Sequence, residues 1–444
     1  MGFKVRDLFR KLGFGLAMIC GTVLPVVLLI TLPVWVLLVL VVLLVAWMAV
    51  TRVGQQAWSV TKVGIATIPQ RLGSSSVVVV GIAGVVGVLV ALLSMATGFE
   101  ATLRQTGTND TVIVMRAGAQ TELNSVLDHD TAVVASQPTQ VLHNASGQPI
   151  ASPELVVVAS LTKKSSGLDG NVEIRGVGEQ AWELRPNVKI IAGRKFKPGL
   201  RELIAGKNTV SQFRNLEIGS SLRLNGQSWT VVGEFDSGDS HNSELWGDTD
   251  VVSSTYRRGS STSSVSMRLT NTGAFEALKA ALTTDPRIKV DVNTTLQYYN
   301  QQSENITRAI RVLGITVGVI MAIGAIFGAL NTMYAAVAAR AREIATLRAI
   351  GFRGVPVVVS VLLETMLLAL LGGAIGAGLA WAIFDNYTAS TLGANFSQVV
   401  FAFSVSPQLL WGGLKWALAI GFIGGLFPAV RAARVPVTAG LREL

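Results

Sequence analysis

Charge is what this chain lacks most. Only 14% of its 444 residues are Asp, Glu, Lys or Arg, against about a quarter in an ordinary soluble domain. The deficit is concentrated in a few long uncharged runs, which is the signature of spanning helices. There is a single cysteine, Cys20, so no intramolecular disulfide can form and any extracytoplasmic part must fold on its core alone. Ala17, Met18 and Ile19 before it make no lipobox, and Cys20 reads as a buried apolar thiol. Histidine is scarce too, limited to His129, His143 and His241. No G-x-x-x-x-G-K-[ST] run, G-x-S-x-G elbow or H-E-x-x-H pair is present, which argues against nucleotide hydrolysis, acyl transfer or zinc peptidase chemistry in this sequence. The net charge of +10 does not signal nucleic acid, because the basic residues gather at the ends of apolar runs, where the positive-inside rule puts them.

What is present is apolar sequence in five blocks: Leu16–Val50, Ser74–Phe99, Val312–Ala339, Val355–Phe384 and about Leu409–Val430. A span needs about 20 residues, so the last four blocks are one helix each. The linker 51–73, with Arg52, Lys62 and Arg71 and no acid, and the arginine-rich linker 340–354 and tail 431–444 belong in the cytoplasm. The loop 385–406 carries only Asp385 and belongs outside, and Lys415 between Trp411 and Trp416 reads as a snorkelling lysine in an aromatic belt. Alternation then puts residues 100–308 outside. The first block is broken by Pro25 and Pro33 and preceded by Lys4, Arg6, Arg10 and Lys11. A tight hairpin turning near those prolines keeps both ends inside; one long tilted span is the alternative. Residues 53–73 read as an amphipathic interfacial helix anchored by Trp58 and Ile65.

The expected fold class is thus a multi-span α-helical membrane protein with a large inserted α+β domain. Its divisions fall at 1–52, 53–73, 74–99, 100–308, 309–430 and 431–444. Within 100–308, strand signals lie at Thr111–Met115, Leu155–Leu161, Val172–Val177 and Ser264–Leu269. Asn225-Gly226 predicts a type I′ hairpin turn, and Phe275, Leu278 and Leu282 mark a short helix ended by Asp285-Pro286. The one acidic loop holds Asp236, Asp239, His241, Glu244 and Asp248; its spacing matches no EF-hand, and it reads as a solvated turn rather than a metal or partner site.

Three features remain near the membrane. From Tyr334 to Ile350, Val337, Ala341, Ile344 and Leu347 form an apolar stripe, with Arg340 paired to Glu343 at i,i+3, Arg348 nearby and Gly351 as a helix stop. This helix reads as either a docking helix for a soluble motor or a headgroup anchor. Glu364 is a lone acid inside an apolar block, suited to packing and conformational coupling or to a relay. Gly314/Gly318, Gly324/Gly328, Gly372/Gly376 and Gly421/Gly425 stand four apart, the spacing that lets helices pack closely, within one bundle or across a dimer.

The stretch NTMYAAVAARAREIATLRAIGFRG, then LLETMLLALLGGAIGAGLAW, and the ending FPAVRAARVPVTAGLREL resemble the permease domain shared by MacB-type exporters, lipoprotein-release permeases and FtsX-like permeases. IAGRKF, LIAGKNTV, IGSSLRLNGQSWTVVGEF and SELWGD are similar to MacB-type periplasmic domains. The resemblance covers about residues 60–444; the block before it departs from the usual four-helix members. It implies an ABC transporter permease in a bacterial inner membrane, with residues 100–308 in the periplasm. It implies a dimer, with a second copy or a related permease, a separate cytoplasmic ATPase and a periplasmic adaptor. This chain would carry no cofactor or metal, ATP and magnesium belonging to the ATPase. The family's ATPase-contacting helix maps here onto Arg340, Glu343, Ile344, Leu347, Arg348 and Gly351. ATPase closure would move the periplasmic domains (mechanotransmission) to export a hydrophobic, peptide or lipoprotein cargo. A membrane sensor with an external ligand-binding domain is the alternative reading.

Overall fold

The computed structural model describes residues 21–434 and Pro436. Cys20, the basic segment before it and most of the tail after Arg434 lie outside the described residues. Contacts divide the chain into two units: residues 1–94, 310–385 and 404–444 form one, and residues 95–309 and 386–403 the other.

The first unit is helical. It opens with α1 (Gly21–Thr31), α2 (Val34–Val50) and α3 (Arg52–Ala66). Pro25 lies inside α1, so the break expected anywhere from Pro25 to Pro33 is at Leu32-Pro33, where Pro33 is extended. Lys415 does not snorkel free. Its Nζ donates to the carbonyls of Leu32 (2.7 Å) and Ile30 (3.4 Å), at the end of α1 that Pro33 leaves uncapped. A bend of 102° separates α2 from α3, and Thr51 caps α3 by accepting from Gly54 N. α3 buries Gly54, Ala57, Val60, Thr61 and Gly64 and turns Trp58, Val63 and Ile65 outward. A small-residue stripe thus packs on α12 (Gly354–Phe384) while the large apolar side chains face out.

Among the described residues, four helices are each long and apolar enough to cross a membrane. They are α4 (Leu72–Thr106), α10 (Thr295–Ala339), α12 and α13 (Pro407–Arg434), with α4 and α10 running on into the second unit. Their shared core is made mostly of small and β-branched residues such as Val78, Ile82, Val86, Ala329, Ala369 and Ala417, with Leu368 among them. Two glycine pairs shape it. A Cβ on Gly376 would lie 2.3 Å from Ala83 O and one on Gly372 2.6 Å from Val79 O, so α4 and α12 touch backbone to backbone. Gly421 and Gly425 likewise meet Ala369 and Thr365, joining α13 to α12. Gly324 and Gly328 differ: among the described residues, a Cβ on either meets nothing within 4 Å.

The second unit is α/β. Its strands are β1 (Thr111–Arg116), β2 (Ala151–Thr162), β3 (Asp169–Val177), β4 (Lys189–Gly193), β5 (Glu202–Gly206), β6 (Ser221–Leu224), β7 (Gln227–Asp236), β8 (Glu244–Asp248), β9 (Ser264–Arg268) and β10 (Val290–Thr294). They form one mixed sheet in the order β10-β1-β9-β2-β3-β8-β5-β7-β4, with β6 on β7. β2 joins its halves: Ala151–Glu154 pair with β9, and Leu155–Thr162 pair with β3. Short helices α5 (His129–Ser136), α6 (Ala181–Leu184), α7 (Lys207–Gln212), α8 (Thr249–Thr255) and α9 (Phe275–Thr284) decorate it. Phe275, Leu278 and Leu282 of α9 fill the core of one half, and Trp229, Leu203 and Val252 that of the other. Asn225 and Gly226 both have positive φ (44° and 81°), the geometry a type I′ turn demands.

Two expectations fail here. The loop at 236–248 is no solvated turn: Ser237 and Asp239–Glu244 are all buried, and Asp239 caps a turn by accepting from His241 N. Burial would raise the Asp239 carboxyl, but the neighbouring His241 and its hydrogen bonds hold it down at about 2. No cluster able to hold a metal occurs among the described residues. The segment 385–406 is no plain loop either. It forms a β-hairpin, β11 (Thr388–Leu392) and β12 (Gln398–Ala402), that belongs to the sheet unit.

Candidate functional site

The charged residues around α10 and α12 converge on one point. α10 runs straight through Tyr334 to Ala339, so the helix expected over Tyr334–Ile350 is in fact split. Arg340 leaves helical geometry (φ −109°, ψ 10°), and a separate helix, α11, covers Ala341–Ala349. Its C-terminus closes as a Schellman motif: Phe352 N donates to Leu347 O (3.1 Å), and Gly351 N to Arg348 O (3.2 Å). Gly351 sits at φ +106°, which a side chain would resist. α11 is therefore a short rigid piece with a defined pivot and a defined stop.

Glu364 holds the pivot. Its side chain is 4% exposed and accepts from Arg340 Nη1 (3.1 Å) and Arg71 Nη2 (2.7 Å). Arg340 also reaches Glu343 at 3.4 Å. Gly64 of α3 roofs the clamp, since a Cβ there would lie 3.2 Å from Glu364 Oε2. A carboxylate sunk into an apolar helix is costly unless paired, and here two guanidinium groups from different elements pair it. The clamp ties α12 to the α10–α11 junction and to the segment leading into α4.

α11 turns Ala345 inward, half-buries Ile344, Leu347 and Arg348, and exposes Arg342, Glu343, Thr346 and Ile350. Grooves flank it on both sides. One of about 350 Å³ is lined by Val60, Val63, Glu343, Ile344 and Leu347. The other, of about 400 Å³, is lined by Tyr334, Ala341, Ile344, Arg348 and Arg431. The expected residues Arg340, Glu343, Ile344, Leu347 and Arg348 thus surround two apolar-floored grooves with charged rims. Arg71 was missed as a partner, although its place as a lone cation just before an apolar block was a signal. The sheet unit holds a second buried charge cluster that no sequence motif marked: Arg175 ringed by Glu122, Glu154, Glu173 and Glu244.

A bundle of long apolar helices, an α/β unit inserted between α4 and α10, and a short clamped helix between α10 and α12 define a permease-type membrane protein. Residues 75–285 match the MacB-like periplasmic core domain and residues 315–437 the FtsX-like permease C-terminal domain. The chain belongs to the MacB and FtsX-like family of ABC transporter permeases. It is 24% identical over 382 residues to the macrolide export ATP-binding/permease protein MacB of Neisseria gonorrhoeae (strain ATCC 700825 / FA 1090), covering 81% of this chain and 56% of that protein. It is 36% identical over 117 residues to a MacB 2 protein of Yersinia pestis bv. Antiqua (strain Antiqua), covering 26% of this chain and 16% of that one. The chain thus spans about half the length of the first of these relatives. Among solved structures it is similar to the periplasmic region of MacB from Actinobacillus actinomycetemcomitans, with TM-score 0.32 and 15% identity over 45% of this chain and 92% of that one. It is also similar to the extracellular domain of a noncanonic ABC-type transporter, YknZ, from Gram-positive bacteria, with TM-score 0.31 and 14% identity over 41% of this chain and 98% of that one.

Proposed function

We propose that this chain is the permease subunit of an inner-membrane ABC transporter whose ATP is hydrolysed by a separate cytoplasmic subunit, and that α11 is where that subunit pushes. One observation carries the reading: α11 is cut free of α10 at Arg340, closed at Gly351 and fastened at its root to Glu364. A force applied to α11 therefore reaches α12 through an ion pair instead of being lost in a loop. Through Arg71 it also reaches the start of α4, which continues into the sheet unit. ATPase closure would then become movement of the periplasmic unit, the mechanotransmission expected of the family, exporting a hydrophobic, peptide or lipoprotein cargo. The arginines around α11 favour a cytoplasmic position for it and a periplasmic one for residues 100–308. The unpacked Gly324/Gly328 pair supports a second permease copy, or a related permease, against α10. A periplasmic adaptor fits the relatives' description as exporters.

The test is extraction of the tagged chain from its native membranes in mild detergent, with quantification of what accompanies it. A P-loop ATPase in near-equal amount is expected. A chain that purifies alone, or with signalling proteins, would overturn the reading.

A further inference from the structure

The β11–β12 hairpin sits on a buried cluster of charge. Arg175, 1% exposed, bonds Glu122 (2.8 Å), Glu154 (3.0 Å), Glu173 (3.0 Å) and Glu244 (2.9 Å). Arg185 adds a second cation against Glu154 (2.9 Å). Four carboxylates against two guanidinium groups leave two negative charges uncompensated if every group is ionised. Such an excess is costly inside a protein.

The four glutamates do not share the cost equally. Burial would raise Glu154, but Arg185 and Arg175 outweigh it and hold the carboxyl at about 2. Burial is likewise outweighed at Glu244, chiefly by Arg175, with His241 adding to the effect. Glu173 goes the other way: burial, then the charge of Glu244, push it up to about 7. Tyr298 and Tyr299 of α10 face the same cluster, Tyr298 OH accepting from Glu122 N. The hairpin itself, residues 388–402, brings no titratable side chain.

Glu173 is also the carboxylate the hairpin touches. Its Oε2 accepts from Asn395 Nδ2 (3.1 Å) and Ser397 Oγ (3.2 Å). Asn395 is 7% exposed, yet its Oδ1 has no donor, and Gln302 Nε2 and Gln398 Oε1 nearby are also unpartnered. These side chains line a cavity of about 30 Å³ shared with Glu173 and Glu244, room for about one water.

We propose that Glu173 is a proton-binding site that latches the β11–β12 hairpin onto the sheet. A neutral carboxyl both donates and accepts. It keeps the Ser397 hydroxyl on one oxygen and offers its proton to the unpartnered Asn395 Oδ1 once that amide turns over. Undocking exposes Glu173 to water and returns it towards its ordinary 4.5. The docked form therefore holds the proton more tightly. Linkage makes docking strongest below about 4.5 and removes that contribution as pH rises through about 7. Between pH 8 and pH 6 the docking equilibrium gains about tenfold. The hairpin is the chain between α12 and α13, so the proton on Glu173 controls how firmly this connecting segment is held on the sheet.

Hydrogen exchange of the hairpin amides in the full chain in lipid nanodiscs, at pH 6 and pH 8 and corrected for intrinsic rates, tests this. Opening is expected to be about tenfold more frequent at pH 8 in the wild type and independent of pH in Glu173→Gln. Equal opening at both pH values in the wild type, or the same pH slope in Glu173→Gln, would overturn it. So would opening that follows sodium or potassium concentration at fixed pH. Should Glu173→Gln fail to fold, infrared difference spectra of the wild type decide: a protonated carboxyl lost between pH 6 and 8 supports the latch, and its absence refutes it.

Discussion

At the scale of residues, the account turns on one carboxylate and two guanidinium groups. Glu364 is tolerated in an apolar helix because Arg71 and Arg340 both reach it. Glu364→Gln keeps the shape and removes the charge that balances them. Breaking a buried pair costs about 3–5 kcal/mol, less here because both arginines keep some solvent. The expected loss is on the order of 2 kcal/mol, read as a lower thermal midpoint in detergent. Arg71→Met alone should cost less, since Arg340 still pairs the acid. Equal stability of Glu364→Gln and wild type would remove the clamp from the account. Glu364 stood out in the sequence as an acid among aliphatics. Its pairing with Arg71 did not, because Arg71 lies 293 residues away along the chain, a separation no local pattern spans.

At the scale of elements, the stops and the contacts of helices carry the predictions. Gly351→Ala places a Cβ at φ +106°, a cost of about 1 kcal/mol or more. Faster exchange of the amides at position 351 and at Phe352 is the expected outcome, with α12 unaffected. The glycine pairs make a contrast. Gly376→Val drives a side chain into Ala83 of α4 and should unfold the bundle or abolish its insertion. At Gly324 an added Cβ has no described atom within 4 Å, so Gly324→Val should leave the monomer about as stable as wild type while self-association weakens. Cross-linking yield in membranes separates the two, and unchanged association in Gly324→Val would count against a partner on that face. The glycine spacing was legible, but which pair packs within the chain was not, because spacing identifies a face and not what lies opposite. The period of 3.6 likewise ran through Arg340 unbroken, so the sequence pattern joined α10 to α11 where one residue's backbone separates them. The β11–β12 hairpin hid in a short polar loop whose alternation is weak, and the Asp236–Asp248 segment looked solvated because its burial depends on Arg175 and Thr106 from elsewhere.

At the scale of the molecule, composition and periodicity carried far. The inserted α/β unit, its Asn225-Gly226 hairpin, α9 and the long apolar helices were all readable, because each rests on local chemistry. The charge clusters were not, since burying them requires the fold first. The central claim is that α11 receives the ATPase. Its most direct test is the ATPase activity that co-purifies with the tagged chain, compared between wild type and Leu347→Glu in membranes holding equal amounts of each. The account predicts that the variant stays in the membrane and loses at least about nine-tenths of that activity, as expected when a charge enters an apolar contact of about 1.4 kcal/mol or more. Activity equal to wild type would contradict it and leave α11 as a membrane-surface anchor.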